Sequence, residues 1–121
     1  MRPVKRHPCL SLIVMLALVC GGCARREVSV HDITRSETII LKKKSGQGSI
    51  HGIAIAGRGS IVGKAEVELI LNGATYKKEN ISGGVSFEWD GDWYADQAEV
   101  RYLAGTASSG TLTLQYEFHD L

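Results

Sequence analysis

From Thr38 onward, apolar and polar residues alternate with a period of two. Ala65, Val67, Leu69 and Leu71 are interleaved with Lys64, Glu66, Glu68 and Ile70. Successive side chains on a strand point to opposite faces, so this pattern predicts a strand with one face buried and one in water. The same spacing recurs in Val85, Phe87 and Trp89, in Ala98, Val100 and Tyr102, and in Leu112, Leu114, Tyr116 and Phe118. Thr38 to Leu41 reads as another strand. So does Ser49 to Ala56, where Gly52 and the small residues around it predict a bend or bulge. Residues 24 to 36 are polar and mixed, with a first strand expected around Val28, Val30 and Ile33.

Turns punctuate these runs. Asn72-Gly73 lies between two strand patterns, and both residues tolerate the positive φ of a type I′ turn, so a hairpin is predicted there. Ser82-Gly83-Gly84 predicts the next reversal, and Gly105 to Gly110 a loop. Short strands recurring roughly every 8–12 residues, with no helical period, indicate an antiparallel β-sandwich or jelly-roll-like domain. A small β-barrel is the alternative. The expected organisation is a leader over 1–22, a terminus and tether over 23–36, and one β-sandwich domain over 37–121.

One stretch is dense in aromatic and acidic residues: Phe87-Glu88-Trp89-Asp90-Gly91-Asp92-Trp93-Tyr94-Ala95-Asp96. A two-residue turn at Asp90-Gly91 would pair Trp89 with Asp92 and turn Trp93 outward. A three-residue loop, Asp90-Gly91-Asp92, would pair Trp89 with Trp93 and turn both inward. Trp89 is in phase with Val85 and Phe87 in either register and is expected in the core. Trp93, Tyr94, Asp92 and Asp96 are the candidate ligand-binding residues, because exposed aromatic faces beside carboxylates can stack on sugar rings and bond their hydroxyls. Calcium is a weaker fit. Asp90, Asp92 and Asp96 are hard oxygen donors, but Tyr94 stands where an EF-hand spacing needs an acid. A purely structural role for the stretch is the third reading.

The first nineteen residues differ from all of this. A basic head (Arg2, Lys5, Arg6) precedes an eleven-residue apolar run from Cys9 to Val19, too short for the roughly 20 residues of a membrane-spanning helix. This is the layout of a signal peptide. Cys20-Gly21-Gly22-Cys23-Ala24 follows, and here the chain resembles bacterial lipoproteins, whose signal peptides end in two small residues and a cysteine that becomes acylated. Gly21 and Gly22 match that motif. Cys20 departs from it, since an aliphatic residue is usual there and Val19 comes one position earlier. The resemblance implies that Cys23, in preference to Cys20, is the lipidated N-terminus of the mature protein. It also implies sorting to an outer membrane, because Ala24 is not the aspartate that retains such proteins in the inner one. The resemblance covers the terminus alone. Independently of it, all three cysteines lie at or before position 23. A chain starting at Cys23 therefore cannot close an internal disulfide, and its lone cysteine calls for another partner.

Removing the leader changes the charge balance. Three of the 14 Lys and Arg go with it, leaving 11 against 13 Asp and Glu. No excess of cations remains to hold nucleic acid. Lys42-Lys43-Lys44 is the only basic run and reads as a solvated turn before it reads as a headgroup contact. Both prolines, Pro3 and Pro8, also leave. No Gly-x-Ser-x-Gly elbow surrounds Ser108 or Ser109, and Gly57-Arg58-Gly59 with Gly63-Lys64 lacks the spacing of a phosphate loop. His31, His51 and His119 are scattered, so no zinc site is expected, nor any other cofactor. The expectation is a lipid-anchored protein of the bacterial envelope. It would act without catalysis as an interaction or accessory module for another envelope protein, or alternatively bind a polysaccharide through Trp93 and Tyr94.

Overall fold

A computed structural model describes residues 25–121. Six antiparallel strands follow in order: β1 (Arg26–Ser29), β2 (Glu37–Lys42), β3 (Ile50–Leu71), β4 (Ala74–Asp92), β5 (Gln97–Leu103) and β6 (Ser109–Asp120). The sheet is built around β3, which is 22 residues long. Along one edge β3 pairs with β4 from Gly52 to Leu71, with a break at Val62-Gly63. Along the other it pairs first with β6, from Ile50 to Val62, and then with β5, from Glu66 to Ile70. The β3–β4 hairpin thus belongs to two layers in succession. One layer is β1-β6-β3-β4 and the other β2-β5-β3-β4, with the hairpin bent where it passes between them. The result is an antiparallel β-sandwich made from one curled sheet.

Strand alternation fills the space between the layers. Ile53, Ile55, Val67, Leu69, Phe87, Trp89, Val100, Tyr102, Leu112 and Leu114 belong to a single buried cluster. On the outer face of the first layer Ala54 and Ala56 are buried too. They lie opposite Glu117, Asp90, Gln115 and Glu88 in the ladders, and Arg25 spans that row by pairing with Glu88 at 3.1 Å and Glu117 at 3.8 Å. The connection before β2 is tied into the core as well: Ile33 is buried, and the buried Tyr102 hydroxyl donates to the Ile33 carbonyl at 2.6 Å. Burial raises the Tyr102 pKa above that of an ordinary phenol. The segment read as a tether therefore supplies strand β1 and a core residue.

The hairpin at Asn72-Gly73 is present, with φ of 52° and 80°. Two other expected reversals are not. Ser82-Gly83-Gly84 lies inside β4 and produces the bend: Gly83 pairs with Ile61 and Ser82 with Lys64, leaving Val62 and Gly63 as an extra pair of residues on β3. Gly63 has φ of 102°, and an added Cβ there would run into the Thr106 backbone. The loop after β5 seals this bend. The Lys64 amide donates to Thr106 Oγ1 at 3.0 Å and the Ser108 amide to the Val62 carbonyl at 2.9 Å. Asp90-Gly91 does not turn either. Asp90, Gly91 and Asp92 pair with Ala54, Ile53 and Gly52, and neither Asp90 nor Gly91 has positive φ. Both registers considered for this stretch are replaced by one in which the ladder to β3, which extends back to Ile50, overrides the local turn preference.

Candidate functional site

The chain leaves β4 at Asp92 and crosses through Trp93 to Asp96 into β5. This places the aromatic and acidic stretch at one end of the sandwich. Trp93 is 5% exposed. Its amide donates to the His51 carbonyl at 3.3 Å, and its indole N–H to the Gln97 carbonyl at 3.0 Å. Both polar groups are satisfied within the protein, and the ring packs in the core. Tyr94 is the reverse case, 75% exposed. Asp92 is exposed at the end of β4. Asp96 is exposed and accepts an ion pair from Lys43 at 3.4 Å, while its carbonyl accepts the Lys43 amide at 3.0 Å. Of the sequence candidates, Tyr94, Asp92 and Asp96 reach solvent and Trp93 does not. Among the described residues no three His, Cys, Asp or Glu side chains are grouped to hold a metal ion.

The fold adds a residue that the sequence reading missed. Tyr76, near the start of β4, has its ring 6.4 Å from that of Trp93 and is itself 47% exposed. The two residues are distant in the chain, and only the bending of the hairpin brings them together. Tyr76 also falls at a register irregularity, since Thr75 pairs with Ile70 and Lys77 with Leu69. Strand alternation therefore carries no signal for its exposure.

The same end carries the start of β1 and the loop after β2. Arg26 donates to the Lys42 carbonyl at 2.8 Å and lies 5.5 Å from the Tyr116 ring centroid. Asp120 fixes the loop by accepting from the Gly48 amide at 2.7 Å and from the Gln47 side chain at 3.3 Å. Those bonds, the Gly48 amide foremost, hold its carboxyl below the ordinary carboxylate pKa. The opposite end, where the hairpin bends, has an open cleft of about 680 Å3 lined by Lys64, Glu66, Asn80, Ser82 and Thr106 among others. A smaller hollow of about 180 Å3 runs along β4 from Glu79 to Phe87. The lipidation candidate, Cys23, lies outside the described residues.

No protein-family model matches the chain, and no curated protein matches it. Among solved structures, PirA aligns with a TM-score of 0.49 at 10% identity, over 78% of this chain and 93% of PirA. The carbohydrate-binding module CBM36, in complex with calcium and xylotriose, aligns with a TM-score of 0.37 at 19% identity, over 82% of this chain and 91% of the module. A chain of the infectious bursal virus derived T=1 particle aligns with a TM-score of 0.28 at 11% identity, over 75% of this chain and 31% of the viral one.

Proposed function

We propose that the protein is a lipid-anchored envelope component that acts without catalysis, as an interaction or accessory module binding another protein by strand addition. The observation that carries this is the open edge of β4. Among the described residues its 19 residues pair with β3 alone, and no proline interrupts them. An unprotected strand edge is a row of free backbone donors and acceptors, which an extended segment of a partner can complete. The hollow along Glu79 to Phe87 gives such a segment a place for its side chains. The anchor rests on Gly21-Gly22-Cys23 and on the lone cysteine of the mature chain.

Two experiments test the two halves of this reading. Cys23→Ser abolishes labelling by radioactive palmitate and releases the protein from membranes; labelling that survives removes the anchor from that residue. A photocrosslinking amino acid at Ser86, on β4, yields one discrete partner in living cells, whereas the same probe at Thr38, on β2, does not. Identical products from both positions would refute the β4 edge as the binding surface.

A polysaccharide is the second reading, favoured by the exposure of Tyr94 and Tyr76. With Trp93 buried, stacking would fall to Tyr94 and Tyr76. Binding of peptidoglycan or polysaccharide that is unchanged when Tyr94→Ala and Tyr76→Ala are combined would eliminate it.

A further inference from the structure

Two independent observations concern the same end of the sandwich. The first is the length of chain between the proposed anchor and the fold. Only residues 24 and 25 separate Cys23 from Arg26, the first residue of β1. An extended chain spans about 3.5 Å per residue, so Arg26 is held within roughly 10 Å of an acylated Cys23. Arg26 pairs with Tyr116 and Ser29 with Thr113, so β1 starts toward the end of the sandwich where β6 finishes and β3 begins. The Asn72-Gly73 hairpin, the loop after β2 and the Trp93 to Asp96 crossing are at that end too.

The second observation is where large apolar side chains meet solvent. Six are exposed among the described residues: Ile40, Val62, Leu71, Tyr76, Tyr94 and Leu121. Leu71, Tyr76, Tyr94 and Leu121 all belong to this end, and Val62 alone marks the opposite one. Tyrosine favours the water–hydrocarbon boundary, where its ring is sheltered and its hydroxyl stays wet. On the side nearest the anchor, Arg26, Lys42 and Lys44 surround Tyr116 and Gln47 together with Glu117, whose carboxylate is paired by Arg25 at 3.8 Å, so cations stay in excess where phosphates would be. The acids at this end are accounted for in part: Asp96 pairs with Lys43 and Asp120 with the Gly48 amide. Asp90 and Asp92 stand on β4, three strands away from β1 in that layer, or about 14 Å at the usual strand spacing.

We infer that the Tyr94 end is a membrane-seating surface whose partner is the phospholipid bilayer that holds the anchor, with the aromatic rings at headgroup level and Arg26, Lys42 and Lys44 over the phosphates. This rests on the acylation of Cys23 proposed above.

The test uses the full acylated protein in vesicles of phosphatidylcholine and phosphatidylglycerol. An environment-sensitive fluorophore is placed on Tyr94→Cys or on Val62→Cys; both positions are exposed, so neither change should disturb folding, and circular dichroism checks that. Nitroxide-labelled headgroups should remove most of the emission at position 94 and leave position 62 unaffected. Lys42→Glu with Lys44→Glu should reduce the loss at 94. Equal quenching at both positions, or stronger quenching at 62, overturns the inference. Vesicle flotation separates the two levels of the argument. Protein that floats while position 94 stays bright retains its anchor and loses the proposed orientation. Protein that does not float overturns the anchor and the orientation together.

Discussion

Gly57 offers a sharp test of the core. It lies directly opposite Phe87 on one side and Leu114 on the other, and a Cβ built on it would overlap the edge of the Phe87 ring at Cε2 and Cζ. The ring cannot easily step aside. Phe87 is 8% exposed, its centroid is 4.9 Å from that of Trp89, and Leu114 is fully buried. Gly57→Ala therefore overpacks a closed site, for which displacement of side chains and backbone costs about 1–3 kcal/mol. In a domain of this size each kcal/mol lowers Tm by about 4–8 °C, giving a fall of roughly 4–24 °C. Thermal unfolding of the chain from residue 23 carrying Cys23→Ser, followed by circular dichroism, reads this directly. The decisive comparison is a double-mutant cycle with Phe87→Leu, which removes Cε2 and Cζ, the two ring atoms that the new methyl would meet most closely. In that background Gly57→Ala should be near neutral, because losing a strand glycine recovers about 0.5–1 kcal/mol of chain entropy. An equal loss in both backgrounds would refute the claim that Gly57 exists to make room for Phe87.

Four further outcomes are expected. Tyr102→Phe strips the Ile33 carbonyl of its buried donor and should destabilise by about 1–3 kcal/mol in urea titration; an unchanged midpoint would mean that the carbonyl finds another partner. Asn72→Ala puts an ordinary side chain at φ of 52° and should cost about 1–2 kcal/mol, while Asn72→Gly recovers most of it; equal effects would argue against the turn geometry. Asp120→Ala removes a carboxylate whose folded pKa is lowered by the Gly48 amide. That contribution is present above the unfolded carboxyl value and lost as pH falls through the folded one. The gap in Tm from the unsubstituted protein should therefore be widest near neutrality and close below pH 3.8; a gap independent of pH would refute it. Iodide should quench the emission of Trp89→Phe and Trp93→Phe variants poorly, since each remaining indole is no more than 8% exposed; free quenching of either would contradict its burial.

The sequence carried the β architecture and most of its core because two-residue periodicity depends only on which face is buried. It also carried the Asn72-Gly73 hairpin, where two residues of suitable conformational freedom coincide with the point at which β3 must end. Ser82-Gly83-Gly84 and Asp90-Gly91 have the same local chemistry and a different fate, because each lies opposite a stretch of β3 that continues past it. A ladder with partners on both sides of a glycine pair extends through it. At Gly83 the partner strand has its own bulge at Val62-Gly63, so the two strands bend together. None of this is local information. The candidate site suffered for the same reason: the burial of Trp93 and the exposure of Tyr76 both depend on the bend, which brings together residues from the two ends of β4.

The bend also decides how the two proposed surfaces divide the molecule. Both ends of β4 lie at the Tyr94 end, since the strand starts at the hairpin beside Tyr76 and finishes at Asp92. Its midpoint, from Asn80 to Val85, is therefore the part of the open edge farthest from the proposed anchor, beside the 680 Å3 cleft. Half of β4 rises about 30 Å at the usual advance per residue. A bilayer seated under Tyr94 would leave the middle of β4 displayed roughly that far above the headgroups, where an extended segment could approach it unhindered. The same seating would cover Tyr94 and reserve it for sugars carried by the lipids themselves. A flexible Gly/Ser insertion of about 20 residues after Ala24 has an r.m.s. reach of roughly 25 Å, enough to let the domain tumble. It should reduce the difference in headgroup quenching between positions 94 and 62, leaving only what the surface's own contacts with the bilayer maintain, and leave crosslinking from Ser86 intact. Loss of both would mean that the partner reads the domain's orientation on the membrane, and that the two surfaces work as one.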